Sequence, residues 1–507
     1  MMPISPAVSF AVLSPLDWCV IFFYAIGMLA VGYYFSRQTK NTEDYLLAGR
    51  RMNPVVVGLS FFASLLSTIS YLGYPGEIIG YGPMYLGAIA SFPLIWWIVG
   101  WLIIPYFMKF RVTSAYEILE SRFGISVRLL GAFMFLCLRL MWMALIIFAT
   151  TDKVLVPILE IDPSWVPAIC AVLGLITISY TAMGGLRAVI VTDVVQSFIL
   201  FGAALLALIL ITRHFGGIGG WWPDEWPAHW PELEWGYDPT ARMSFVGVFL
   251  AVLFWYICTA GSDQIAIQRY LATRDVKAAR KVLAVNLVSN VLVLGLMGLM
   301  GLALLAYFRV NPGLLGEGMS IVENSDELFP RFIVEALPGG ISGLVIAGLL
   351  AAAMSSLSSG VNSSASVIAT DLMDRFRGRK TDDAAAVRRV KGVSFVIGGV
   401  VIALSLLVSL VKGNLLEVSF KVSDLLVAPL FVLFFLAMWV PWANTFGAWC
   451  AAIAAVTVAV LIAYWEEMTG TRGISFLWIM PGSLATGILV GCVASWSWGE
   501  KLKRKET

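Results

Sequence analysis

Runs of about 20 apolar residues recur along almost the whole chain, each long enough to cross the hydrocarbon of a bilayer as a helix. Inside hydrocarbon no water satisfies backbone N–H and C=O groups, so segments of this length must close their hydrogen bonds internally as helices. Composition agrees: 59% of the 507 residues are hydrophobic and 13% charged, with a mean hydropathy of +0.86, far outside the soluble range. The chain reads as an all-α, multi-pass membrane protein with thirteen spans: 16–36, 54–80, 83–108, 127–157, 163–183, 188–212, 243–264, 278–308, 339–372, 392–411, 415–440, 443–465 and 474–498. The first follows an uncharged leader without a basic n-region, so it reads as a retained helix and not a cleaved signal.

Charge separates the connections into two sets. By count, 25 of the 34 Lys and Arg fall in alternate connections, among them Arg50, Arg51, Arg128, Arg187, Arg269 and the seven between Arg375 and Lys391; the opposite connections hold seven. The positive-inside rule places the N-terminus outside and the C-terminus in the cytoplasm, which an odd number of spans allows. The Trp- and Pro-rich stretch 219–242 is expected to cap the outer face, and 310–338 to form a second outer excursion with a short helix. With only a short basic tail after Trp498, a fused soluble domain is not expected. The six cysteines show no CxxC and no nearby His pair, which argues against a structural metal or disulfide framework.

Polar residues within spans carry the functional signal. Ala351–Ser366 reads AAAMSSLSSGVNSSAS, and Ala352, Ser355, Ser356 and Ser359 recur at i, i+3, i+4, i+7, on one helix face. Such a stripe supplies oxygen ligands for a small hard cation or small residues for close helix packing. The second span carries Gly73, Pro75 and Gly76 after Ser64, Ser67, Thr68 and Ser70, and the seventh carries Cys258–Gln264; both read as interrupted helices, the sequence pointer to a transporter's central site. Glu77, Arg139, Asp193, Asp263, Lys421 and Asp424 are ionisable residues within spans, costly unless paired or facing water. Arg139 reads either as a clamp for a solute carboxylate or as the partner of an acid such as Asp424 or Glu77. His214 and His229 are the two histidines, both outside the spans, and no nucleophile–base constellation is evident, so an enzyme is not expected. A channel would need a filter repeat, and a sensor an output domain; neither is visible.

Several motifs, in order, resemble the sodium:solute symporter family: TEDYLLAGR (42–50), FAS…LGYPGE (62–77), YEILESRFG (116–124), GGLRAVIVTDVVQ (184–196), DQIAIQRYLATRD (263–275) and the serine stripe. The resemblance implies a LeuT-like fold: an extra N-terminal helix (16–36), a 5+5 inverted-repeat core (54–212 and 243–440) and two C-terminal helices (443–498). It implies sodium-coupled import by alternating access, with Na+, a small-molecule solute and the lipid bilayer as partners, no nucleic acid and no obligate protein partner. The implied location is the plasma membrane, the inner membrane of a bacterium. A first sodium site is implied at the carbonyls of Ala63, Leu66 and Ala352 and the hydroxyls of Ser355 and Ser356. A second, present in some members, is implied at Asp193, Ser355, Ser358 and Ser359, giving two sodium ions per solute. Solute contacts are implied at Ser67, Ser70, Tyr71, Arg139, Trp142, Tyr256, Thr259, Asn290 and Lys421. With Arg139 and Lys421 framing the cavity, the expected solute is an organic anion, a monocarboxylate or acidic sugar; a neutral solute and proton coupling are the alternatives.

Overall fold

The computed structural model describes residues 13–39, 41–110, 112–316, 318–375, 383–408, 415–471 and 473–506. Lys40, Arg111, Arg377, Arg379, Lys380, Lys412 and Arg472 of the charge count lie outside the described residues, as does the end of the span 392–411. All regular structure among the described residues is helical. We label α1 (Pro15–Ser36), α2 (Pro54–Leu65), α3 (Thr68–Tyr81), α4 (Pro83–Phe107), α5 (Ile125–Leu159), α6 (Val166–His214), α7 (Phe245–Ser262), α8 (Gln264–Leu271), α9 (Val276–Val310), α10 (Leu328–Ala336), α11 (Ile341–Asp374), α12 (Asp383–Ser405), α13 (Leu415–Trp439), α14 (Thr445–Ala463) and α15 (Phe476–Ser497).

Local chemistry starts many of these helices where the chain enters them. Asn53, Ser244, Asp275 and Asn444 each accept a backbone N–H of the first helical turn through the side chain, satisfying donors that a helix start leaves open. α10 is the short helix of the second outer excursion, and the 219–242 stretch is largely turns and bends, with Trp221 and Trp230 buried. α6 is two helices that meet at a kink, in the places of the expected spans 163–183 and 188–212, with no loop between them. One residue, Gly185 at φ 63° and ψ −163°, reverses the local backbone, in a region nearly restricted to glycine.

The second span is the broken one, but its break lies elsewhere than expected. α2 stops at Leu65 and α3 starts at Thr68, bent 66° apart, with Leu66 (ψ 123°) and Ser67 (ψ 172°) extended between them. Pro75 sits inside α3, and its carbonyl lies so close to Gly301 of α9 that a Cβ there would come within 2.9 Å. Neighbouring protein thus supports the helix across the proline, as membrane helices allow. The seventh span is interrupted as expected, at the extended Asp263 between α7 and α8.

α11 runs through the middle: 89% of its most apolar window is buried, the highest share of any candidate span among the described residues. Its serines therefore face protein on every side. At Gly185 a side chain would meet the carbonyl oxygen of Tyr45 at 2.6 Å. Gly185→Ala is expected to destabilise the fold by roughly 2 kcal/mol, read as a lowered melting temperature and reduced monodisperse yield in detergent.

Candidate functional site

The break after α2 leaves the last carbonyls of that helix without their usual intrahelical donors, and α11 supplies replacements. Ser355 Oγ donates to Ala63 O at 2.9 Å and to Ala352 O at 3.1 Å, while Ser356 Oγ donates to Leu66 O at 2.9 Å. One turn earlier, Thr68 Oγ1 donates to Leu349 O at 2.9 Å. Three carbonyl and two hydroxyl oxygens, those of Ala63, Leu66, Ala352, Ser355 and Ser356, thus converge in a buried space. Carbonyl and hydroxyl oxygens gathered in such a cage are the ligand type that a hard cation takes. No carboxylate belongs to it, which suits a monovalent ion. Among the described residues no group of His, Cys, Asp or Glu is arranged to hold a metal.

Beside this cage is a second polar cluster on the same face of α11. Asp193 of α6 and Arg269 of α8 are both fully buried and form an ion pair at 3.4 Å. Asp193 Oδ2 accepts from Ser60 at 2.6 Å and from Ser64 and Ser359 at 3.4 Å each. Arg269 Nη2 donates to Ser359 at 2.6 Å, Ser64 at 2.9 Å and Ser60 at 3.3 Å, and Ser64 and Ser359 share a bond of 2.7 Å. Asp193 Oδ1 and Arg269 Nε and Nη1 are left without partners. The structure thus joins Asp193 to Ser359 but turns Ser358 to its own backbone, at Ser355 O, 3.0 Å away. It also adds Arg269, which the sequence reading had grouped with the cytoplasmic loop charges. Arg269 lies in DQIAIQRYL, every residue of which is buried.

A cavity lies against the break. Leu65, Leu66, Ser70, Tyr74, Tyr85, Trp142, Trp255, Tyr256, Asn290, Ser419 and Ser423 are among its walls, and its volume is about 80 Å³. Of the expected solute contacts, Ser70, Trp142, Tyr256 and Asn290 line it. Ser67 and Thr259 are buried nearby but outside the lining, their hydroxyls without partners. Tyr71 donates to Leu200 O at 3.2 Å and stacks on Phe329.

Neither cation of the expected anion clamp reaches this cavity. Arg139 is buried in an ion pair with Asp263, the acid exposed by the α7–α8 break, and not with Asp424 or Glu77. Lys421 points to an outer surface pocket, where it pairs with Glu417 at 3.1 Å and Glu467 at 3.3 Å. On α13, residues 419 and 423 face the cavity while Lys421 occupies the opposing direction of the helix turn. Among the described residues no Lys, Arg, His, Asp or Glu lines the cavity.

Ion pairs instead cover both ends. On the outer side Arg242 pairs with the buried Glu77 and lies 3.7 Å over the Tyr81 ring, while His229 and Trp230 bond Ile79 O at 2.8 and 3.0 Å. On the inner side Arg128 bridges Asp371 at 2.7 Å and Glu120 at 2.5 Å, and Arg375 adds a bond to Glu120 at 2.8 Å. Hydrogen bonds from Arg128 and Arg375 hold the Glu120 carboxyl below the usual glutamate range.

Residues 45–455 match the model of the sodium:solute symporter family. The chain is 32% identical over 469 residues to a sodium/sialic acid symporter of Proteus mirabilis, covering 89% of this chain and 90% of that one. It is 30% identical to a sodium-dependent multivitamin transporter of Oryctolagus cuniculus, over 89% of this chain and 70% of the relative. A solved structure of a Na+-coupled sialic acid symporter, substrate-bound and outward-open, superposes with a TM-score of 0.83 at 27% identity, covering 95% of this chain and 98% of the other. The Arg139–Asp263 pair should behave as a structural element: Asp263→Asn is expected to cost about 3–5 kcal/mol by stranding Arg139. The double replacement Arg139→Met with Asp263→Leu should recover much of the melting temperature.

Proposed function

The chain belongs to the sodium:solute symporter family, and from that premise we propose that it imports an acidic sugar or related organic anion, driven by two sodium ions per solute. The first sodium binds in the oxygen cage of Ala63, Leu66, Ala352, Ser355 and Ser356. The observation that carries this reading is the position of Leu66: its carbonyl belongs to the cage, and the same residue lines the cavity. Solute and cation therefore share one stretch of extended backbone. Whatever one orders, the other finds already ordered, which is the thermodynamic content of coupling.

A second sodium, in this reading, binds at Asp193 with Ser359, where a fixed negative charge offsets the cost of a cation far from water. Arg269 now stands there, so sodium and guanidinium take turns as counter-ion to Asp193. The solute occupies the cavity, its ring against Trp142, Trp255 and Tyr256 and its polar groups toward Ser70 and Asn290. The relatives that carry sialic acid support an acidic sugar. Its carboxylate is received by neutral hydrogen-bond donors, since the two candidate cations are engaged elsewhere.

The units 54–212 and 243–440 act as the inverted repeats, each with one broken helix near its start, and move against each other to expose the cavity to either side. The location is the bacterial inner membrane, and the role is transport without chemical change to the solute.

Uptake into proteoliposomes at fixed pH tests this. Ser356→Ala is expected to abolish sodium-driven uptake by removing a cage ligand. Asp193→Ala should lower the Hill coefficient for sodium from about 2 to about 1; an unchanged slope would mean a single coupling ion. Arg269→Gln, by removing the competing cation, should enlarge the rise in melting temperature that NaCl produces over KCl.

A further inference from the structure

Six carboxylates are buried among the described residues: Asp17, Glu77, Asp193, Asp263, Asp371 and Asp424. Four are paired with arginines: Glu77 with Arg242, Asp193 with Arg269, Asp263 with Arg139 and Asp371 with Arg128. Asp17 accepts the backbone N–H groups of Gly340 at 2.7 Å and Gly343 at 2.6 Å. Asp424, fully buried on α13, has neither. Its Oδ1 accepts the Ser423 hydroxyl at 2.7 Å, and its Oδ2 meets no partner. An intramembrane acid left this way marks a solute or ion pathway.

Its place is just behind the cavity wall. Ser423, the preceding residue, lines the cavity, as does Tyr85, which with Cys258 lies within electrostatic reach of the carboxylate. The hydrogen bond has a direction that matters. An ionised Asp424 can only accept, so in that form it takes the one proton of Ser423, and Ser423 Oγ presents only lone pairs to the cavity. Asn290 Nδ2 is likewise turned to Asn286, at its backbone O (2.8 Å) and Oδ1 (3.1 Å), which leaves Asn290 Oδ1 as an acceptor.

We propose that Asp424 is a specificity-determining positioning residue: by holding the Ser423 proton it makes that part of the cavity an acceptor, which selects solutes carrying hydroxyl or amide donors. The inference rests on the symport reading above and narrows its solute class. A polyhydroxylated acidic sugar satisfies the acceptors. A short monocarboxylate brings no donor to them.

The test uses the purified full-length chain in NaCl, with N-acetylneuraminate as the donor-rich probe and propionate as the donor-free one. The wild type is expected to gain thermal stability from N-acetylneuraminate and none from propionate at equal concentration. Asp424→Asn and Ser423→Ala should each weaken N-acetylneuraminate binding roughly tenfold, as loss of one well-placed hydrogen bond does. The sodium-induced shift without solute should stay as in the wild type, a readout that a general packing defect would move. Because Asp424 acts through Ser423, adding Asp424→Asn to Ser423→Ala should change little more. Should Asp424→Asn not fold, Ser423→Ala, which removes one hydroxyl, carries the same test. The inference alone is overturned if N-acetylneuraminate binds the wild type and both variants equally, if the two losses multiply, or if propionate is preferred. A wild type that answers to neither probe overturns the acidic-sugar reading together with it.

Discussion

Opening a helix inside a membrane exposes carbonyls that no water can reach, and the architecture is organised around satisfying the ones freed at Leu66. The hydroxyls that do so, Ser355 and Ser356, come from the most buried candidate span among the described residues. That dependence explains why a helix in the centre of the protein carries serines where leucine would pack as well. It also explains why those serines are separable by role. Ser355 and Ser356 face the opened backbone, and Ser359, one turn on, faces Asp193. One helix face thereby holds both polar clusters within a turn of each other, against the same break.

Buried charge follows a consistent plan around this centre. Each arginine that lies deep in the protein meets an acid from a different helix or loop, so every pair ties elements distant in sequence: Arg139 to Asp263, Arg128 to Asp371, Arg242 to Glu77. Breaking such a pair costs far more than forming it gains, because the remaining charge is stranded. The pairs therefore fix relative helix position more than they add net stability. Two of them sit at opposite ends of the molecule, and among the described residues the cavity between is lined by neutral groups. Charge is spent on the covers; recognition is left to hydroxyls, an amide and aromatic faces.

Spans and class were legible in the chain because each depends on local pattern, whereas the oxygens gathered at the break were implied by the resemblance to the family. Apolar length marks a membrane helix, and the i, i+3, i+4, i+7 spacing of Ala352 to Ser359 marks a face. What the pattern could not show was direction and partnership. Gly73 and Pro75 look like a break, yet α3 runs through them, because α9 packs at Gly301 and shields the interrupted turn. The extended residues are Leu66 and Ser67, ordinary in composition, which open only because α11 offers donors opposite. Lys421 and Ser423 are two residues apart and face opposite ways, which a sequence without the neighbouring helices leaves undecided. Arg139 had no acid within reach along its own helix, and its partner proved to be Asp263, 124 positions away.

Arg269 is the instructive omission. It stands in a polar stretch at the cytoplasmic end of α8, where a count of loop charges naturally takes it for a surface residue. The break at Asp263 redirects the chain so that α8 lies buried against α2 and α11, and its guanidinium enters the Asp193 cluster. An acid at this depth needs a counter-charge at every stage of a transport cycle, including the stage at which no cargo is bound. A tethered guanidinium meets that need without consuming an ion. Its hold is loose by design of distance: the ion pair is 3.4 Å long, and two of its three nitrogens have no partner. A cation bound so incompletely is one that a smaller, fully coordinated ion can displace, and the serines around it are the ligands that such an ion would use.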